Sequence, residues 1–141
     1  MHVSPYLNFN GRCEEAVTYY KTALGAEVEM LMRFSDAPQG GPHAIPEAAK
    51  SKIMHTSFKI GDTAVMASDG MCTEGGQTKF DGFHLSLNVP DVATAERLFA
   101  ALAADGEVSQ PLTETFFAPR FGMVVDKLGV GWMVVAAASP A

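Results

Sequence analysis

The mainly apolar run Val3–Phe9 (VSPYLNF) has strand character and ends at Asn10-Gly11, a turn signal, which predicts a strand. From Cys13 the period lengthens. Ala16, Val17, Tyr20 and Leu24 recur at helical spacing, which predicts a helix over Cys13–Leu24, and Gly25 stands where a helix end favours a residue free to take positive φ. Ala26–Phe34, Ile53–Ile60 and Thr63–Ser68 read as strands, the last two joined across Gly61-Asp62. The second half runs through the same order. Phe83–Val89 predicts a strand, and Pro90-Asp91 opens a helix, with Asp91 as N-cap or first-turn carboxylate, that carries Ala95, Leu98, Phe99 and Leu102 on one stripe and stops near Asp105-Gly106. Strands follow at Glu107–Thr115, Phe121–Asp126 and Val130–Ala137, with Leu128-Gly129 as the last turn.

The halves align in register. Leu7-Asn8-Phe9 precedes Leu87-Asn88-Val89 by eighty positions, and the same shift puts Tyr19 on Phe99 and Glu27-Val28 on Glu107-Val108. A shift of sixty-eight puts Lys59-Ile60-Gly61 on Lys127-Leu128-Gly129, the difference falling in the loop around Ser35–Lys50. The chain therefore reads as a tandem βαβββ repeat. The expected fold class is α+β, a single domain over residues 1–141 with one module over about 1–69 and another over about 83–137. Ser35–Lys50 and Gly70–Lys79, rich in Gly and Pro, are expected to be exposed loops. A helix covers only one face of such a sheet. Paired modules are expected to form a curved mixed sheet whose uncovered faces enclose a concave, ligand-sized cavity.

Composition narrows the function classes. The chain has 141 residues and a formal charge of −6, with no Lys/Arg-rich run, so neither nucleic acid nor an anionic membrane surface is an expected partner. No apolar run spans a bilayer and no secretory pattern opens the chain, which makes the expected location cytoplasmic. Cys13 and Cys72 form no framework and read most simply as reduced thiols.

Three blocks carry a family resemblance. Ile53-Met54-His55-Thr56 leads through Ile60-Gly61 to Met66-Ala67-Ser68-Asp69. Glu114-Thr115-Phe116-Phe117, Phe121–Asp126 and Gly129-Val130-Gly131-Trp132-Met133 form a second block, and Cys13–Tyr20 the third. Together they resemble the vicinal oxygen chelate (glyoxalase/bleomycin-resistance/dioxygenase) superfamily in its PhnB-like branch, with Phe117, Thr113 and Gly131 departing from the branch's usual Trp, Gln and Pro. The resemblance implies a glyoxalase-like fold and a homodimer. Some relatives carry a ubiquinone-pathway methyltransferase label, which the absence of a Gly-rich nucleotide loop between a strand and a helix does not support here.

Metal-using members of the superfamily place one His or Glu on each of four strands. The resemblance puts those places near Pro5, Ala67, His84 and Met133, of which only His84 can ligate, and a slip of two residues adds Asp69. Two ligands fall short of the three of a catalytic zinc site, so no cofactor is expected, and a divalent metal would depend on His84 and Asp69.

The alternation Ile53-His55-Ser57-Lys59 opposes Met54-Thr56-Phe58-Ile60; if the latter covers the helix, His55 faces the concave side. The candidate cavity residues are His55, Ser68, Asp69, His84, Glu114, Phe117, Arg120 and Trp132. Each has a plainer reading: turn chemistry for Ser68-Asp69, a Glu114–Arg120 ion pair, core packing for Trp132, and a satisfied strand residue for either His. The methionines on the strands read as plastic core or pocket lining. No nucleophile has a recognisable setting, and acid–base work by His55, Asp69 or Glu114 would need a convergence that spacing does not establish. The leading expectation is a protein binding a small molecule in the cavity without metal. An enzyme with a rebuilt metal or acid–base site, and a purely structural dimer, stand beside it.

Overall fold

The computed structural model describes residues 1–37, 45, 47–70 and 78–138 and divides into two compact units, Met1–Thr78 and Lys79–Ala141. Each contains a four-stranded mixed sheet and one long helix.

In the first unit, β1 (Tyr6–Asn8) leads into α1 (Cys13–Leu24), β2 (Glu27–Arg33), β3 (Ile53–Ile60) and β4 (Thr63–Ser68), with short 3-10 turns at Phe34–Asp36 and Glu47–Ala49. The sheet order is β1-β4-β3-β2; β1 runs parallel to β4 and the other pairs are antiparallel. β1 is shorter than the predicted Val3–Phe9. Pro5 has no N–H to offer a ladder, although its carbonyl accepts from Met66 N at 3.0 Å. Gly25 ends α1 at φ 69°, and its neighbour's amide (Ala26 N) returns to the Tyr20 carbonyl, so the predicted left-handed cap is present. Cys13, Ala16, Val17 and Tyr20 form the buried stripe of α1, with the Tyr20 ring stacked on Phe58 of β3 at 6.0 Å.

The second unit repeats this order with β5 (Leu85–Val89), α2 (Val92–Ala103), β6 (Glu107–Thr113), β7 (Arg120–Val125) and β8 (Gly131–Ala136), in sheet order β5-β8-β7-β6. Ala95, Leu98, Phe99 and Leu102 are buried on α2, as the periodicity predicts. The repeat extends to an irregularity. Between Val28 and Met30 of β2, and again between Val108 and Gln110 of β6, one extra residue bulges out of the ladder at corresponding positions.

One detail of the predicted register changes. Glu27 pairs with Lys59 while Glu107 pairs with Val125, so the third strands correspond at sixty-six positions, not sixty-eight. Lys127-Leu128-Gly129 lies in the β7–β8 loop, whose residues fold around Asp126. The Asp126 Oδ1 accepts the amides of Leu128 and Val130 at 2.8 and 3.1 Å, and Oδ2 accepts the Trp132 indole N–H at 2.8 Å. A buried carboxylate thus organises a longer turn where the first unit turns tightly on Gly61-Asp62.

Much of the two expected loops, 38–44, 46 and 71–77, lies outside the described residues, as does Cys72; Cys13 is buried. Among the described residues no helix is long and apolar enough to cross a membrane.

Asp91 accepts the Thr94 amide at 2.7 Å, and that bond holds its carboxyl below the ordinary carboxylate range. A depressed folded pKa gives stability that is present above the unfolded pKa and lost as pH falls through the folded one. The melting-temperature gap between wild type and Asp91→Ala should therefore be widest near neutrality and narrow as pH drops below about 4, read by circular dichroism melts across that range.

Candidate functional site

Because Phe58 stacks on α1, the alternate residues of β3 point away from the helix: His55, Ser57 and Lys59 share the helix-free face of the first sheet. The ladder fixes their neighbours. Met32 pairs with His55, while Met30 and Met66 flank Ser57 from either side; Tyr6 pairs with Met66. The Tyr6 hydroxyl and His55 Nδ1 are hydrogen-bonded at 2.8 Å, their ring centroids 5.5 Å apart. With the hydroxyl donating, the imidazole proton resides on Nε2, the nitrogen left to a ligand. This face is soft and apolar at its margins and polar along β3.

Ser68 and Asp69 are employed differently. Asp69 is 1% exposed; its Oδ1 accepts the amides of Gly11 and Cys13 at 2.7 and 2.8 Å, and Oδ2 accepts the Ile53 amide at 2.8 Å. Helix α1 begins without a side-chain cap of its own, Arg12 making none, so a carboxylate from the end of β4 performs that service. Ser68 Oγ accepts the Gly70 amide at 2.8 Å and faces the Ile53 carbonyl at 3.5 Å. Together the two side chains tie the start of α1, the start of β3 and the end of β4.

In the second sheet, a Cβ built at Gly122 would meet Phe99 of α2, which identifies the helix-covered face. Val124 and Trp132 share it through the β7–β8 register. Trp132 is therefore buried on the helix side and bonded to Asp126. Arg120 also turns toward α2, its Nε 3.7 Å from Glu96 Oε1, so the expected Glu114–Arg120 ion pair is replaced by one with the helix. Glu114 is exposed on the β6–β7 connection. Beside it Phe117, 56% exposed, meets Phe121 edge-on at 5.1 Å.

The helix-free face of this sheet carries Ser86 beside Met133, itself paired with Met123, and His84 just before β5. The His84 ring lies over Gly131: a Cβ there would stand 3.0 Å from His84 Cδ2 and 3.4 Å from Nε2. The glycine that replaces the usual proline thus leaves room for the imidazole. Of the eight candidates, His55 and His84 are on helix-free faces, Glu114 is exposed on the β6–β7 connection, Phe117 packs on Phe121, and Ser68, Asp69, Arg120 and Trp132 serve the framework. Sequence reading missed Tyr6, whose place on the alternation of β1 was a usable signal.

Comparison with known proteins sets these faces in context. A model of the glyoxalase/bleomycin resistance protein/dioxygenase superfamily matches residues 2–134. The chain belongs to this superfamily. Protein YjdN of Escherichia coli (strain K12) is 35% identical over 95% of this chain and 94% of its own. The crystal structure of PA1353 from Pseudomonas aeruginosa superposes with TM-score 0.84 at 41% identity, covering 99% of both chains. The PhnB protein from Bacillus cereus shares the fold, with TM-score 0.76 at 23% identity over 97% of this chain and all of that one.

The superfamily's metal places can now be tested on this chain's donors. Pro5, Ala67 and Met133 offer no hard or borderline ligand, and Asp69 has both carboxylate oxygens committed to backbone amides. Among the described residues no three His, Cys, Asp or Glu side chains gather as a metal-binding group. The donor set does not fit the superfamily's divalent ion.

Asp69→Ala would leave the Gly11, Cys13 and Ile53 amides without this acceptor. At about 1–3 kcal/mol for each buried unsatisfied group, and with the Gly11 amide only part-buried, the loss should be roughly 2 kcal/mol or more. Urea denaturation should show it, with metal content unchanged.

Proposed function

We propose that this chain binds a small organic molecule against the helix-free faces of its sheets, without a resident divalent metal. The observation that carries the reading is the first of those faces, where Met30, Met32 and Met66 surround a hydrogen-bonded Tyr6–His55 pair. Unbranched thioethers adapt to ligand shape, and a few fixed polar groups set orientation, the usual division of labour in a small-molecule site. The second sheet offers a comparable surface in Met123, Met133 and His84. A framework role for the cavity residues fits Asp69 and Trp132, which are committed to backbone and turn, but leaves the partly exposed His55 face unused.

Mass spectrometry of molecules released on denaturing freshly purified protein tests the reading, together with elemental analysis of protein prepared without metal-capturing tags. The expected result is a co-purifying organic compound and no stoichiometric zinc, nickel, manganese or iron. A full complement of such a metal, lost on His84→Ala, would replace this reading with a metalloenzyme.

The same reading includes a homodimer acting in the cytoplasm. The outer strands β2 and β6 expose Val28 and Val108 at the edges of their sheets, an arrangement that a second copy would cover. Multi-angle light scattering at about 100 µM should return twice the 15.0 kDa chain mass, and a monomer mass would count against it.

A further inference from the structure

In four places an Asn or Asp immediately precedes a glycine: Asn10-Gly11, Asp69-Gly70, Asp81-Gly82 and Asp105-Gly106. At such a step the glycine amide nitrogen, with no side chain on its own residue to shield it, can close a five-membered ring onto the preceding side-chain carbonyl carbon. The structure treats the four differently. The Gly11 N–H donates to Asp69 Oδ1 at 2.7 Å, the Gly70 N–H to Ser68 Oγ at 2.8 Å, and the Gly106 N–H to the Ala103 carbonyl at 2.9 Å. Each of these nitrogens is held toward an acceptor other than the side chain it would attack. Asp69 is also buried, with both oxygens committed to the amides of other residues. At the fourth step the Gly82 N–H donates to Asp81 Oδ1 at 2.9 Å, so the carboxyl group is folded back onto the nitrogen that would attack it. Both residues are exposed, and nothing lies within 4 Å of the place a Gly82 Cβ would take. Lys79 stands 3.9 Å from the other carboxylate oxygen, but with the two side chains 85% and 78% exposed, solvent screens that ion pair.

We propose that Asp81 is a site of spontaneous isomerisation to isoaspartate, and that the product unseats His84. The Gly82 nitrogen bonds to Cγ of the protonated Asp81 carboxyl group, and the carboxyl hydroxyl leaves with the amide hydrogen as water, giving a succinimide. Water then adds to one of the two ring carbonyls. Opening the ring at the Cγ–N bond restores aspartate. Opening it between the nitrogen and the Asp81 main-chain carbonyl carbon leaves the chain running through Cγ, one carbon longer, with a free α-carboxylate. Nothing is oxidised or reduced, and water is the one reactant besides the chain. The added carbon falls between fixed contacts. Before the step, Phe80 reaches within 3.8 Å of the place a Gly129 Cβ would take. After it, the Phe83 carbonyl and the His84 ring lie over Gly131, and the Phe80 and Phe83 rings meet edge-on at 6.4 Å across the step. A backbone lengthened between Phe80 and Phe83 does not keep all of these contacts, and His84, next in the chain, moves with Phe83.

The test ages the intact protein for weeks at near-neutral pH and body temperature, in native buffer and in parallel in urea. Its peptides are then read by electron-transfer fragmentation, which distinguishes the two linkages. Comparing each step with itself in the unfolded chain removes the intrinsic difference between Asn and Asp. Folding should slow isoaspartate formation about tenfold or more at positions 10, 69 and 105, and should leave it as fast or faster at 81. Asp81→Glu keeps the charge but would need a six-membered ring, so this variant should form no such linkage at 81. The His84 ring signals in proton NMR, assigned with His84→Gln, should move in aged wild type in proportion to the fraction converted. They should stay in place in aged Asp81→Glu. Folding that slows the reaction at 81 as much as at the other three steps overturns the proposal. So does a His84 signal that isoaspartate at 81 leaves where it was.

Discussion

Each sheet in this chain has one helix and two faces, and that inequality governs the rest of the structure. A single amphipathic helix can bury one side of four strands, and Tyr20 against Phe58, with Phe99 over Gly122, shows which side it is. The core is complete on that side. What remains exposed to ligands is therefore determined by strand alternation: every second residue of β3 and β8 is consigned to packing, and the others are released from it.

Holding the helix in place takes acceptors that might otherwise look functional. Asp69 is the clearest case. A carboxylate at the end of a strand, following a serine, has the residue chemistry of a ligand or a general base. Here both its oxygens are taken by amides that anchor α1 and β3. Asp126 does the corresponding work in the second unit for the β7–β8 turn and the Trp132 indole. Buried carboxylates with full hydrogen-bond shells are framework elements, and their removal is expected to cost stability before it alters chemistry.

The architecture was legible in the sequence because two periodicities and their punctuation agree: helical stripes ending at Gly25 and Asp105-Gly106, and strands separated by short turns. Even the shift of eighty between first and second strands survives in the ladders, bulges included. The shift of sixty-eight did not extend to the third strands, because Lys-x-Gly recurs in turns of different length and turn chemistry is local. The site was less legible. Alternation put His55 on the correct face of its strand, but a hydrogen bond such as Tyr6–His55 joins residues forty-nine apart, and spacing in one chain does not encode it. Arg120 and Trp132 looked like cavity residues by type; a one-residue change of face, fixed only by the pairing with β8, turned both toward α2.

The central claim is that the helix-free faces are where a small molecule is held. Diethyl pyrocarbonate footprinting, read by peptide mass spectrometry, measures this directly by comparing protein that retains its co-purified compound with protein stripped of it. The exposed His2 near the chain start serves as an internal reference. Slower modification of His55, His84 or both in the loaded protein, with His2 unchanged, is the predicted result. Identical rates at all three histidines in loaded and stripped protein would contradict the account.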